Sequence, residues 1–311
     1  MKKIDEEIQD LLRSHHGDIK EILADNHRLD YLYAFSGQRE LLLEWYDFDP
    51  QATLLQVGAD YGAMTGLYLG RVKQVTVLDE DAQALETVKL RYPSAKNAVY
   101  VQSSLQEYAV SADEDKDGSA GSVPAYDYVV MVNDGQQITE ETVAAAKKLL
   151  KKGGVLILAL PNQLGMKYWT GTPREDNALS KKRLMALLGE QTEQKPDGRN
   201  SRFYYPMPDY RIPVTIYSDA YLPKKGDLTR VTTAYDFPEY HVIDMGEGFD
   251  TVCEEGVFDQ YADSYLVFWS EDKAKLYPQE DRIFVKYNKT RQDAFQIRTC
   301  IGEKEGGRFV E

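Results

Sequence analysis

The chain has 311 residues, 42% of them hydrophobic and 11% aromatic, and a formal charge of −14. That composition is globular rather than disordered. The acidic balance argues against nucleic acid as the main partner, because neutralising phosphates takes clustered Lys and Arg. No apolar run reaches membrane-spanning length, so no membrane span is expected. Two cysteines, Cys253 and Cys300, form neither a disulfide framework nor a metal motif, which fits a cytoplasmic protein, and MKKIDEEIQDLL lacks the apolar core of a secretion signal.

Residues 1–37 carry two helical stripes, Ile4/Ile8/Leu11/Leu12 and Ile19/Ile22/Leu23. They predict an N-terminal helical cap that buries its stripe on the main domain, with a homodimer contact or a substrate lid as the alternatives. Arg39 to Trp45 reads as the helix leading into the first strand, and Asp49-Pro50 supplies the break. From Leu54 to Asp79 a short apolar run, a glycine-bearing turn, a helical repeat and a second apolar run follow one another. This is half of a strand–helix–strand nucleotide-binding unit. Its turn, Gly58 to Gly62, uses small residues so that backbone N–H groups can approach a polar ligand. Asp79 ends the second strand 21 residues after Gly58, where such folds place an acceptor for ribose hydroxyls.

The alternation continues. Ala82–Leu90 reads as helix, Ala98–Gln102 and Tyr126–Val132 as strands, and Thr139–Leu150 as a helix stopped by Gly153-Gly154 before the strand Val155–Leu160. Five such strands predict an open α/β sheet covered on both faces. Asp113, Asp115, Asp117 and Gly118 match the first half of a calcium loop, but Pro124 stands where a bidentate Glu is needed, so the stretch reads as a solvated acidic loop. Further on, Arg202–Pro206 and Ser264–Ser270 read as the last two sheet strands, with residues 209–262 inserted between them as a lid. Residues 271–311 read as a hairpin tail, with the start of a further domain as the alternative.

With these elements in place, Arg39 to Trp169 resembles the class I S-adenosylmethionine-dependent methyltransferases, on LLQVGADYGAMTGLYL, VTVLD and LLKKGGVLILALPN. The runs NQLGMKYWTG and FYYPMPDYRIPVTIYSDAYLP resemble a subgroup found with bacterial cell-surface polysaccharide synthesis. The resemblance implies a Rossmann-like, mostly parallel seven-stranded sheet over residues 38–270, with an antiparallel strand at 264–270. It also implies S-adenosylmethionine as cofactor. Gly58, Ala59 and Gly62 would then shape the turn beneath the methionine part. Asp79 would hold the ribose hydroxyls, with Glu80 beside the adenine edge, Ser104 near the adenine amino group, and Asn133 and Asp134 lining the methyl-donor pocket. Two residues of this site depart from the family pattern. Gln56 replaces an acid and Asp60 replaces the middle glycine; Asp tolerates left-handed backbone, but its carboxylate could repel that of the cofactor.

Methyl transfer from a sulfonium needs a positioned acceptor, here a small molecule or a sugar-linked group, and in some cases a base. Asp134, Tyr204 and Asp209 are the catalytic candidates, with Tyr205 and His241 behind them; Asp209 in PMPDYRIP reads more readily as a turn residue. Lys167, Tyr168 and Trp169 are candidates for acceptor contact. His15 and His16 have no partners at ligand spacing, so no metal is expected. The rival reading is a methyltransferase-like module that has lost catalysis and serves as a scaffold. A dinucleotide oxidoreductase is disfavoured, because the turn lacks G-x-G-x-x-G spacing.

Overall fold

A computed structural model of the protein describes residues 4–114, 125–132, 137–191, 198–229, 235–237, 242–278, 281–288, 295–305 and 307–311. The chain divides within its fifth strand, after Leu156, into two compact units.

The first unit opens with three helices, α1 (Ile4–Ser14), α2 (Ile19–Asp25) and α3 (Leu29–Phe35). Ile8, Leu12, Ile22, Tyr31, Ala34 and Phe35 pool the two apolar stripes into one cluster, and Tyr61 and Leu90 pack against it. The cap therefore covers the back of the glycine turn. Burying such a stripe, rather than helix propensity, is what holds helices this short. The segment expected as a helix over Arg39–Trp45 is a 3-10 helix, Gly37–Leu42, opened by the Ser36 hydroxyl accepting from Gln38 N–H.

Then come β1 (Thr53–Val57), α4 (Thr65–Arg71), β2 (Gln74–Asp79), α5 (Ala82–Arg91), β3 (Ala98–Gln102), α6 (Leu105–Glu114), β4 (Tyr126–Val132), α7 (Glu140–Lys148) and β5 (Leu150–Pro161). The β1–β2, β1–β4 and β2–β3 pairs are parallel. Asp81 and Thr139 cap α5 and α7 by accepting from backbone N–H groups of the first turn, a contact worth about 1 kcal/mol each. Gly153 and Gly154 do not end α7 as expected. They lie inside β5, where Gly153 has φ +75° and a Cβ on Gly154 would stand 3.0 Å from the carbonyls of Lys151 and Tyr126. The pair bends the start of the strand. Most of the 111–122 acidic loop lies outside the described residues.

The second unit contains α8 (Met166–Trp169), α9 (Lys181–Leu187), β6 (Ser201–Met207), β7 (Thr215–Ser218), α10 (Met245–Glu254), α11 (Phe258–Tyr261), β8 (Ser264–Trp269), β9 (Asp281–Asn288), β10 (Ile297–Lys304) and β11 (Gly307–Val310). The strands follow the order β11-β10-β9-β7-β6-β8-β5-β4-β1-β2-β3. The sheet thus has eleven strands with an antiparallel edge, not the seven expected. Two stretches supply the difference. The 209–262 stretch contributes β7, antiparallel to β6, and the 271–311 tail contributes β9 to β11, with β9 paired to β7 through Thr215↔Lys286 and Ile216↔Val285. A four-residue strand and a hairpin with its own short pattern carry no local sign of which edge they will join.

Two glycines test this packing. Gly154→Ala forces a methyl against three backbone oxygens and should lower stability by about 1–3 kcal/mol. Gly70→Ala, in α4 with nothing near its added methyl, should raise it by about 0.5–1 kcal/mol. Urea midpoints at unchanged m-value would read both, and a neutral Gly154→Ala would show that the β5 bend can relax.

Candidate functional site

The glycine turn is built from unusual backbone. Gly58 has φ +87°, and Asp60, Tyr61 and Gly62 follow at +42°, +51° and +76°. Left-handed backbone at two non-glycine residues in succession is costly and persists only when its surroundings hold it. Four side chains do so. The Arg39 guanidinium pairs with the Asp60 carboxylate at 2.5 Å, their side chains 0% and 7% exposed. Arg91 donates to the Tyr61 carbonyl at 3.0 Å and to the carbonyls of Ala34 and Phe35 at the end of the cap. Tyr92 donates to the Gly62 carbonyl at 2.9 Å. Finally, the buried Gln56 amide donates to the carbonyls of Gly58 and Ala59, at 2.9 and 3.3 Å, and accepts from the Thr65 hydroxyl at 2.8 Å.

These contacts give a physical reason for both departures in the turn. Donating to two carbonyls needs an amide, which a carboxylate at position 56 would lack. The Asp60 carboxylate engages Arg39, so its charge is compensated within the core.

On the open side, Asp79 braces the turn. Its Oδ2 accepts from Ala59 N–H and its Oδ1 from Asp81 N–H, each at 2.8 Å, while Gly58 N–H donates to the Leu78 carbonyl. A carboxylate has about four acceptor positions, so two remain for a ligand's hydroxyls. Above Gly58 an added Cβ would meet nothing within 4 Å. The turn therefore faces open space. Ser103 N–H donates to the Asp79 carbonyl, which brings the end of β3 alongside. The Ser104 hydroxyl accepts from Glu107 N–H at the start of α6, and Glu80 is exposed beside Asp79. Gln56, Gly58, Ala59, Asp60, Gly62, Asp79, Glu80 and Ser104 are thus gathered at one end of the parallel strands. Asn133, Asp134 and His241 lie outside the described residues.

The other candidates lie in the second unit, in buried networks. Asp209 is 1% exposed. It accepts from the N–H groups of Arg211 and Ile212, and Tyr235 OH approaches both its oxygens at 3.0–3.1 Å. Tyr204 is buried in β6 and donates to the Arg282 carbonyl at 3.3 Å, and burial raises its phenol above the ordinary range. Lys167 turns inward, 1% exposed, and pairs with Glu175 at 3.1 Å and Asp236 at 3.4 Å. Burial works against its charge, but Asp209, Glu175 and Asp236 raise the ammonium above its usual value. Burial also opposes the charge on Glu175, yet Arg211, bonded at 2.6 Å, and Lys167 hold it at about 2. Asp263 accepts from Lys167 N–H on Oδ1, while burial pushes its carboxyl up to about 8. Its Oδ2 has no hydrogen-bond partner among the described residues. Tyr168 donates to Glu175, and Trp169 is half exposed.

Sequence reasoning passed over Arg39, Arg91 and Tyr92. The one available signal was a lone arginine in GQRELLLEW and a carboxylate in an otherwise small turn.

No protein-family model and no curated protein matches the chain. Among solved structures it is similar to a phosphoethanolamine N-methyltransferase 1 of Haemonchus contortus in complex with phosphoethanolamine and S-adenosylhomocysteine. That match has 11% identity and a TM-score of 0.45, over 86% of this chain and 50% of the other. N-methyltransferase NodS of Bradyrhizobium japonicum WM9 with S-adenosylhomocysteine matches at 17% identity and a TM-score of 0.35, over 52% of this chain and 76% of that one. A precorrin-8w decarboxylase of Methanobacterium thermoautotrophicum matches at 21% identity and a TM-score of 0.33, over 39% of this chain and 61% of that one. The chain thus spans less than two thirds of the length of two of the three. Likenesses at this level carry no assignment, so the functional reading rests on the turn and Asp79.

Two outcomes are expected. Arg39→Met strands a buried carboxylate and should cost about 3–5 kcal/mol, most of it regained in Arg39→Met/Asp60→Gly; strictly additive losses would show that the two side chains do not act as a pair. For Asp263, the folded protein keeps a proton that the unfolded chain, with its ordinary value of 3.8, has lost. Its contribution to stability is therefore full below pH 3.8 and is lost as pH rises to about 8. Asp263→Asn removes this dependence, so its melting temperature should gain on wild type from pH 4 to 8; parallel pH profiles would refute a neutral Asp263.

Proposed function

We propose that the chain is an S-adenosylmethionine-dependent methyltransferase acting on a small-molecule or carbohydrate-linked acceptor. The observation that carries this reading is the open turn above Gly58, with the partly available Asp79 carboxylate beside it. The residues present suit a sulfonium nucleoside. Asp79 would hold the ribose hydroxyls, and Gly58 and Ala59 would let backbone approach the methionine part. Glu80 and Ser104 would lie along the adenine, with Asn133 and Asp134, by their place in sequence after β4, toward the methyl donor. When bound, the cofactor supplies an activated methyl group, and the chain's part is to orient it and exclude water. The compensated charge on Asp60 supports the reading, since its pairing with Arg39 offsets the repulsion of an anionic ligand.

The runs NQLGMKYWTG and FYYPMPDYRIPVTIYSDAYLP support a finer proposal, a role in bacterial cell-surface polysaccharide synthesis on the cytoplasmic side. Within it, Tyr204 and Asp209 serve the second unit through their buried hydrogen bonds, and Asp134 remains the catalytic candidate.

Isothermal titration with S-adenosylhomocysteine should give a Kd of about 1–100 µM, weakened about tenfold or more in Asp79→Asn. A melting curve on the variant separates lost binding from lost folding, since Asp79 also braces the turn. Unchanged affinity in Asp79→Asn would remove the ribose role. No heat from wild type at millimolar ligand would leave the scaffold module as the reading.

A further inference from the structure

The second unit contains a cavity of about 280 Å³ that the methyl-transfer proposal does not use. Lys181, Lys182, Arg199, Asp259 and Gln260 supply its polar lining, and Leu164 and Met185 its apolar part. Three cations against one carboxylate is a notable excess in a chain of 37 basic and 51 acidic residues. The arrangement around Lys181 decides how that excess is presented. Its ammonium, with a side chain 12% exposed, donates to Tyr205 OH at 2.6 Å and to Asp219 at 3.2 Å, and pairs with Asp259 at 2.8 Å. It also stands 4.9 Å over the Phe203 ring. Burial raises the Tyr205 phenol well above its ordinary value, so it stays a phenol and donates to Asp219.

Lys181 is therefore spent on structure. It holds the one lining carboxylate in place, which removes Asp259 from competition for Lys182. That lysine is exposed and has no ion-pair or hydrogen-bond partner among the described residues. Arg199, by contrast, is buried and has an interaction of its own, so it adds a guanidinium held in place on a wall shielded from water. The outer oxygens of Asp259 and the Gln260 amide can take hydroxyl groups. Leu164 and Met185 offer a surface for carbon.

We infer that this cavity binds a small phosphate-bearing polyol, with the phosphate toward Lys182 and Arg199 and the hydroxyls toward Asp259 and Gln260. The volume lies just below the range usual for drug-sized ligands, about 300–1,000 Å³, which suits a single-ring metabolite. No bond is made or broken. The site lies wholly in the second unit, and its test uses no S-adenosylmethionine, so its failure and that of the methyltransferase reading are distinguishable.

The experiment is isothermal titration of the full chain with glucose 6-phosphate, inorganic phosphate and glucose in turn. Glucose 6-phosphate should bind with a Kd of about 1 mM or tighter, weakening as salt is raised. Lys182→Glu, at an exposed position that should leave the fold intact, should weaken it about tenfold or more. Glucose should not bind, and inorganic phosphate should bind more weakly. Inorganic phosphate binding as tightly as the sugar phosphate would overturn the proposal in favour of a bare anion site. No saturable binding of glucose 6-phosphate, or binding indifferent to Lys182→Glu, would overturn it outright.

Discussion

The first unit depends on holding three successive residues, Asp60 to Gly62, in left-handed backbone. An unsupported loop would relax out of that conformation, since each strained residue costs roughly 1–3 kcal/mol. The support comes from charge placed in the core. Arg39 meets the Asp60 carboxylate, while Arg91 gathers carbonyls from both the turn and the end of α3. The cap and the turn are thereby one structure, with Tyr61 packed against the same cluster as Ile8 and Phe35. What the open side of the turn presents follows from this. With the turn tied down from behind, Gly58 is left under open space and Ala59 N–H points at Asp79.

The second unit uses buried charge differently. Lys167, Glu175, Arg211 and Asp236 form a network in which each ion is paired, and burial raises Asp263 enough to keep it neutral at pH 7. Such a network is weak evidence of stability, because removing ions from water offsets most of what their pairing returns. Its effect is on geometry. Lys167 bonds Glu175, which joins Arg211, whose N–H meets Asp209, so the chain following α8 and the chain following β6 are held in one register. The Lys181 group works by the same principle on a smaller scale, fixing one cation so that its neighbour Lys182 stays available.

The sequence by itself determined the order of β1 to β5, the glycine turn and the acid that closes β2. Those features are local: strand and helix periods are read within about ten residues, and a left-handed turn announces itself through Gly and Asp. It also marked Arg202–Pro206 and Ser264–Ser270 as strands, which became β6 and β8, hydrogen-bonded to each other across more than fifty residues of intervening chain. Only the tertiary structure decided that Asp60 turns to Arg39, 21 residues away, that Lys167 points inward, and that β7 and the tail extend the sheet to eleven strands. An ion pair or a strand edge is chosen by what lies across space once burial has removed water as the competing partner. Nothing in the local pattern of residues records that choice.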